Sequence, residues 1–100
     1  MQGYRLSKEA QDDLKEIKNH SRMVWGNKQT QEYLSEIKNG LEKLIITPEL
    51  GKIRDEIIDG LRSFGIGRQI IFYRLGKTGI EVARILHKRM DVTRQFDGFW

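Results

Sequence analysis

Tyr4-Arg5-Leu6 alternates apolar and polar side chains and runs into Ser7, whose hydroxyl suits a helix cap, so the chain opens as a short strand feeding a helix. Ala10, Leu14 and Ile17 then fall at i, i+4 and i+7 on one face, with Lys, Asp, Glu and Gln elsewhere, which marks an amphipathic helix. The stripe fades near Met23-Val24-Trp25, and Gly26-Asn27 breaks the chain. A second helix follows, with a broader stripe of Tyr33, Leu34, Ile37, Leu41, Leu44 and Ile45. Gly40 lies inside it at a cost of about 1 kcal/mol relative to alanine, which implies that something packs closely there. Thr47-Pro48 ends this helix, because the residue before a proline is driven out of the α region.

From Glu49 to Gly60 the chain is polar and without a clean period, and reads as a connection with room for one helical turn. Beyond it, Leu61 to Phe64, Arg68 to Leu75 and Ile80 to His87 are rich in Ile, Phe, Tyr and Val, punctuated by Gly65-Ile66-Gly67 and Gly76-Lys77-Thr78-Gly79. That pattern predicts a three-stranded antiparallel meander. The whole is an α+β fold in which a two-helix hairpin packs on the meander and the N-terminal strand is free to add at an edge. A single helical layer covers one sheet face only. Along the last strand Ile80, Val82, Arg84 and Leu86 alternate with Glu81, Ala83, Ile85 and His87, so both faces are partly apolar. The second face therefore calls for a cover, which the alternation alone leaves as solvent or a partner.

One hundred residues with 38% hydrophobic content fit one domain spanning positions 1–100 around a small core. With no cysteine and two histidines, a disulfide framework is excluded and neither a structural metal nor a cofactor is expected. The N-terminus lacks the apolar stretch of a signal peptide, and no apolar run reaches membrane-spanning length, so a cytoplasmic protein is expected. Charge is unevenly placed. Residues 1–61 hold ten Lys/Arg against eleven Asp/Glu, whereas residues 62–100 hold eight against three, a net +5. Such a cationic half favours an anionic partner, nucleic acid or an acidic protein segment, over a merely solvated surface.

Trp25-Gly26, Pro48-Glu49-Leu50-Gly51-Lys52, Asp55-Glu56-Ile57, Gly60-Leu61-Arg62-Ser63-Phe64, Gly67 through Arg74 and Leu86 through Asp91 appear co-linearly at spacings that span nearly the whole chain. In these segments the sequence resembles the RelE/ParE superfamily of bacterial toxins, and its wording is similar to the ParE branch. The resemblance implies a non-enzymatic toxin that inhibits DNA gyrase and is neutralised by direct binding of a ParD-like antitoxin, without membrane association or sequence-specific nucleic-acid binding of its own. The alternative that it implies is a ribosome-dependent mRNA endoribonuclease of the RelE type. Two RelE arginines match Arg68 and Arg89, but the RelE tyrosine aligns near Gln95, which cannot exchange protons near neutral pH. The RelE lysines align in a region holding Asp55, Glu56 and Asp59, whose charge repels an RNA backbone. His87 at the end of a strand serves either as a hydrogen-bonded structural residue or as a base.

The partner-binding candidates are the cations and aromatics of the C-terminal half: Arg62, Arg68, Arg74, Arg84, His87, Lys88, Arg89, Arg94, Phe99 and Trp100. The two terminal aromatics have two readings. They fold back to finish the core, or they anchor a partner, as exposed Trp and Phe do in interfaces. An acidic, partly apolar antitoxin segment lying over the second sheet face would meet both the charge and the uncovered surface.

Overall fold

The computed structural model describes residues 3–99. Strand β1 (Gly3–Leu6) leads into helix α1 (Lys8–Ile46), followed by a single 3-10 turn (Pro48–Leu50), strands β2 (Lys52–Ile53), β3 (Arg62–Ile66), β4 (Gln69–Leu75) and β5 (Gly79–His87), and a last 3-10 turn (Thr93–Phe96). Ser7 caps α1 as its residue type requires, its hydroxyl accepting from the Ala10 amide at 2.9 Å. Among the described residues no helix is long and apolar enough to cross a membrane.

The two helices expected from the sequence are joined without a loop. A straight helix of 39 residues would run about 58 Å, more than the 38 Å largest extent of the molecule. The chain folds back at Gly26, whose φ of 84° breaks the helix in a region that L side chains rarely enter. Both limbs then reach one core: Ala10, Leu14 and Ile17 from the first, Ile37, Leu41 and Leu44 from the second. Gly40 is where the second limb meets the sheet most closely, because a Cβ there would run into the Ile66 side chain.

The sheet has five strands in the order β1-β5-β4-β3-β2, rather than a meander of three with an optional edge strand. β1 lies parallel to β5, and the remaining pairs are antiparallel. The added strand, β2, falls inside the stretch read as a plain connection. It is held there by Arg62, which donates to the carbonyls of Glu49 and Gly51, and by the buried Tyr73 hydroxyl, which donates to the Pro48 carbonyl at 2.6 Å and accepts from the Gly51 amide at 2.8 Å. Gly65 and Ile66 belong to β3, so the turn into β4 occupies only Gly67 and Arg68.

A β-bulge corrects the alternation expected along β5. Tyr73 lies opposite Val82 but Phe72 lies opposite Arg84, so Ala83 is the extra residue. Ile80, Val82 and then Ile85 join the helix-side core with Ile71 and Tyr73, while Ala83 and Leu86 face the other way. The other face is not left open. Leu61, Phe72, Ala83, Leu86 and Phe96 form a second buried cluster, onto which Ile57, Ile58, Ile70, Val92 and Phe99 pack. The loop before β3 and the C-terminal segment thus supply the cover that the sequence left to solvent or a partner. Phe96 is 3% exposed and sits edge-on to Phe72, and Phe99 packs against Phe96. Phe99 accordingly folds back, whereas Trp100 lies outside the described residues.

One buried ion pair ties these layers together. Asp13, on α1, takes two hydrogen bonds from Arg84, through Nε and Nη2, each at 2.8 Å, and one from the Ile85 amide at 2.9 Å. The third Arg84 nitrogen donates to Gln95 Oε1 at 2.9 Å. Its hydrogen bonds to Asp13 hold the Arg84 guanidinium above its ordinary pKa against the opposing effect of burial.

Two outcomes are expected from urea denaturation. Asp13→Ala leaves Arg84 and the Ile85 amide without their acceptor and should destabilise by about 3–5 kcal/mol, and adding Arg84→Met should cost much less than a second loss of that size. Gly40→Ala should destabilise by about 1–3 kcal/mol through overlap with Ile66, despite the better helix propensity of alanine. In an Ile66→Ala background, which removes the colliding atoms, the same change should become neutral or stabilising.

Candidate functional site

The sequence-derived candidates separate into three groups. Arg62, Arg74 and Arg84 are engaged within the fold: Arg62 on the carbonyls before β2, Arg74 with its cross-strand partner Glu81 at 2.7 Å, and Arg84 with Asp13 and Gln95. Arg94 and Phe99 lie on the C-terminal segment, the first exposed and the second packed on Phe96. Arg68, His87, Lys88 and Arg89 converge at the end of the sheet where β4 begins and β5 finishes.

Strand pairing explains this convergence. Gln69 lies opposite His87, and the Lys88 amide donates to the Arg68 carbonyl at 2.9 Å, so residues nearly twenty positions apart share one rim. Together they line a hollow of about 280 Å³. Arg68, Lys88 and Arg89 are exposed, and among the described residues none is salt-bridged to a carboxylate. The Lys88 and Arg89 side of the rim is therefore positive, while Arg68 also shares a neighbouring hollow with Glu32 and Glu36. His87 is oriented from its own turn, its Nδ1 accepting from the Arg89 amide at 3.1 Å. In the neutral ring that bond places the hydrogen on Nε2.

A cleft of about 250 Å³ adjoins the rim and shares Arg68 and His87 with it. Its other walls come from the first limb of α1 (Glu16, Ile17, His20 and Ser21), from Trp25 and Tyr33 on either side of the break, and from Gln69 and Met90. Asp13 and Arg84 form part of the lining, so the ion pair that couples helix to sheet also fixes the distance between the cleft walls. The Arg68 guanidinium carbon lies 5.0 Å from the Trp25 ring centroid, within the range of a cation–π contact, and Tyr33 meets Trp25 edge-on at 6.3 Å. Tyr33 donates to Gln69 Oε1 and accepts from the Arg68 amide at 3.1 Å. Burial pushes its phenol above the ordinary value, partly offset by the Arg68 amide, so it stays protonated and able to donate.

Trp25, Tyr33, Gln69 and Met90 were not among the sequence-derived candidates. Only Trp25 carried a signal, standing beyond the end of the apolar stripe where no core position requires an aromatic. No group of three or more His, Cys, Asp or Glu side chains among the described residues lies where it could hold a metal ion. A base is available in His87, but Gln95 is tied to Arg84, and Glu56 and Asp55 are engaged locally with Arg54 and the Gly60 amide. The arrangement can hold an anion beside an aromatic wall.

Comparison with known proteins agrees with this architecture. The family model described as ParE toxin of type II toxin-antitoxin system, parDE, matches residues 4–92. Toxin ParE1 of Mycobacterium tuberculosis is 39% identical over 92 residues, covering 91% of this chain and 94% of that protein. Toxin ParE1 of Caulobacter vibrioides is 33% identical with the same coverage, and Toxin ParE of Escherichia coli is 32% identical over 92% of this chain and 90% of its own length. Among solved structures, a chromosomal ParDE system from P. aeruginosa superposes with a TM-score of 0.74 at 19% identity, covering 87% of this chain and 96% of that one, which shows a shared fold. With nearly its whole length matched by the family model and by relatives above 30% identity, this chain belongs to the ParE toxin family of type II toxin–antitoxin systems.

Proposed function

We propose that this ParE-family toxin arrests growth in the cytoplasm by binding and inhibiting DNA gyrase, without catalysing a reaction itself, and that a ParD-like antitoxin holds it inactive by direct contact. The observation that carries the reading is the family match over residues 4–92, together with curated relatives that are all named as ParE toxins. The geometry supports it. The cationic rim of Arg68, Lys88 and Arg89 adjoins a cleft lined by the Trp25 ring and by exposed Met90, and charge beside apolar anchors is interface chemistry, steering an approaching partner and then burying it. An antitoxin segment that alternates acidic and apolar residues complements this end of the molecule, and it folds as it binds.

RNA cleavage of the RelE type finds less support here. Gln95, near which that branch carries a tyrosine, accepts a hydrogen bond from Arg84, and a side-chain amide cannot serve as a general acid or base near neutral pH. The loop before β3 presents Asp55, Glu56 and Asp59 rather than lysines, and Arg54 holds Glu56 well within its ionised range.

Purified toxin should inhibit gyrase-catalysed supercoiling in a concentration-dependent way, and an equimolar ParD-like antitoxin should restore it. Induced expression should cause filamentation and DNA-damage signalling while bulk messenger RNA remains intact. Rapid cleavage of transcripts at ribosome-occupied codons, with supercoiling unaffected, would sink the gyrase reading and make Arg68, His87 and Arg89 candidates for catalysis.

A further inference from the structure

We propose that the Trp25–Arg68 cleft and the Arg68–Lys88–Arg89 rim together form a binding site for an unpaired nucleotide, base in the cleft and phosphate on the rim. The two hollows, of about 250 and 280 Å³, share Arg68 and His87. Their chemistry differs as the two halves of a nucleotide differ.

The rim holds three exposed cations, none ion-paired to a described carboxylate, with Glu32 and Glu36 sharing a hollow with Arg68 alone of the three, and His87, whose Nδ1 is occupied by the Arg89 amide, keeps Nε2–H as a fourth donor. The cleft offers an aromatic wall in Trp25 and polar groups that can bond a base edge, Glu16 and Gln69 among them. Arg68 joins the halves. Its guanidinium is held over the Trp25 ring, so it offers a flat, delocalised surface to a base and N–H donors to a phosphate. Tyr33 fixes this element by accepting from the Arg68 amide, which lowers the entropic cost of binding. A bare anion would use only the rim, and an apolar ligand only the cleft. The combination of stacked aromatic, guanidinium and cations free of ion pairs among the described residues is the one that sequence-tolerant single-strand binders use.

The same chemistry is offered by a free nucleotide and by an exposed nucleotide of a single strand, and the test separates them. A fluorescein-labelled deca-deoxyadenylate is titrated with the full-length toxin at low salt and followed by anisotropy, with AMP and inorganic phosphate as competitors. Gyrase is absent, so the result does not depend on how the toxin arrests growth. Saturable binding is expected, weakened about fivefold or more by Trp25→Ala, as loss of one stacked base implies. Trp25→Phe should retain it. Lys88→Gln and Arg89→Gln should each weaken binding and each lower the salt slope, by about 0.7 for a single-strand phosphate contact. Lys38→Gln, on the exposed helix surface, should change nothing, and thermal melts confirm that every variant remains folded. Displacement by AMP identifies the free nucleotide as a ligand, and displacement by unlabelled oligonucleotide but not AMP identifies the strand. No saturable binding overturns the proposal. So does phosphate competing as well as AMP while Trp25→Ala is silent, which would leave only an anion-attracting surface.

Discussion

A carboxylate buried among apolar side chains is tolerated only when its charge is met and its lone pairs are filled, and Asp13 meets both conditions in one place. Two of its donors belong to the Arg84 guanidinium and the third is the Ile85 amide, just beyond the point where β1 stops covering the edge of β5. Ser7 closes the neighbouring stretch of that edge, donating its hydroxyl to the Ala83 carbonyl at 2.6 Å and its amide to the Val82 carbonyl at 2.9 Å. The helix therefore docks through satisfied polar groups as well as through its apolar stripe. Greasy contact alone would allow α1 to slide along the sheet. Directional hydrogen bonds to one bulged position permit one register.

The bulge makes this possible. An unbroken strand would keep Ile85 on the face away from Ile80 and Val82, and the extra residue at Ala83 returns it to the helix-side core. It also lets Arg84 reach the helix through Asp13 and the C-terminal segment through Gln95, so one side chain touches the layers on both sides of the sheet. The second layer is thin, a loop and a tail rather than a helix pair, yet it buries Leu61, Phe72, Leu86 and Phe96. A domain of this size has little surface to spare, and closing both faces with its own chain is how it assembles enough apolar contact.

What the sequence revealed divides along physical lines. Periodicity and capping are local, so the stripe on α1, the Ser7 cap, the break at Gly26 and the stop at Pro48 were all legible, as was the tight contact at Gly40. Strand-rich segments were legible too, and the family resemblance was carried by motifs that the comparisons support. Long-range decisions were not. Nothing in Lys52-Ile53 marks a strand until Arg62 and Tyr73 hold it against β3, and a bulge leaves no trace in a pattern of period two. At the candidate site the cations of the C-terminal half were named, but charge count could not say that Arg62, Arg74 and Arg84 turn to internal partners while Arg68, Lys88 and Arg89 stay on the rim. Trp25 and Tyr33 could not be assigned to the adjoining cleft from spacing, because the helix break brings them there.

The parallel pairing of β1 with β5 sets Gly3 opposite Gly79 and Leu6 opposite Val82, so the first strand of the sheet in chain order bonds to the last. The central strand pair, β4 with β5, likewise waits for residues up to His87. Contacts of such long sequence separation cannot form on a partial chain, which has paid the entropy of closing the loop before its reward exists. The sheet therefore cannot assemble until β5 is available to pair with both β1 and β4. For a member of a toxin family, that topology is a built-in delay, because the site at the β4–β5 end of the sheet is assembled only when its most distant partners in the chain have met.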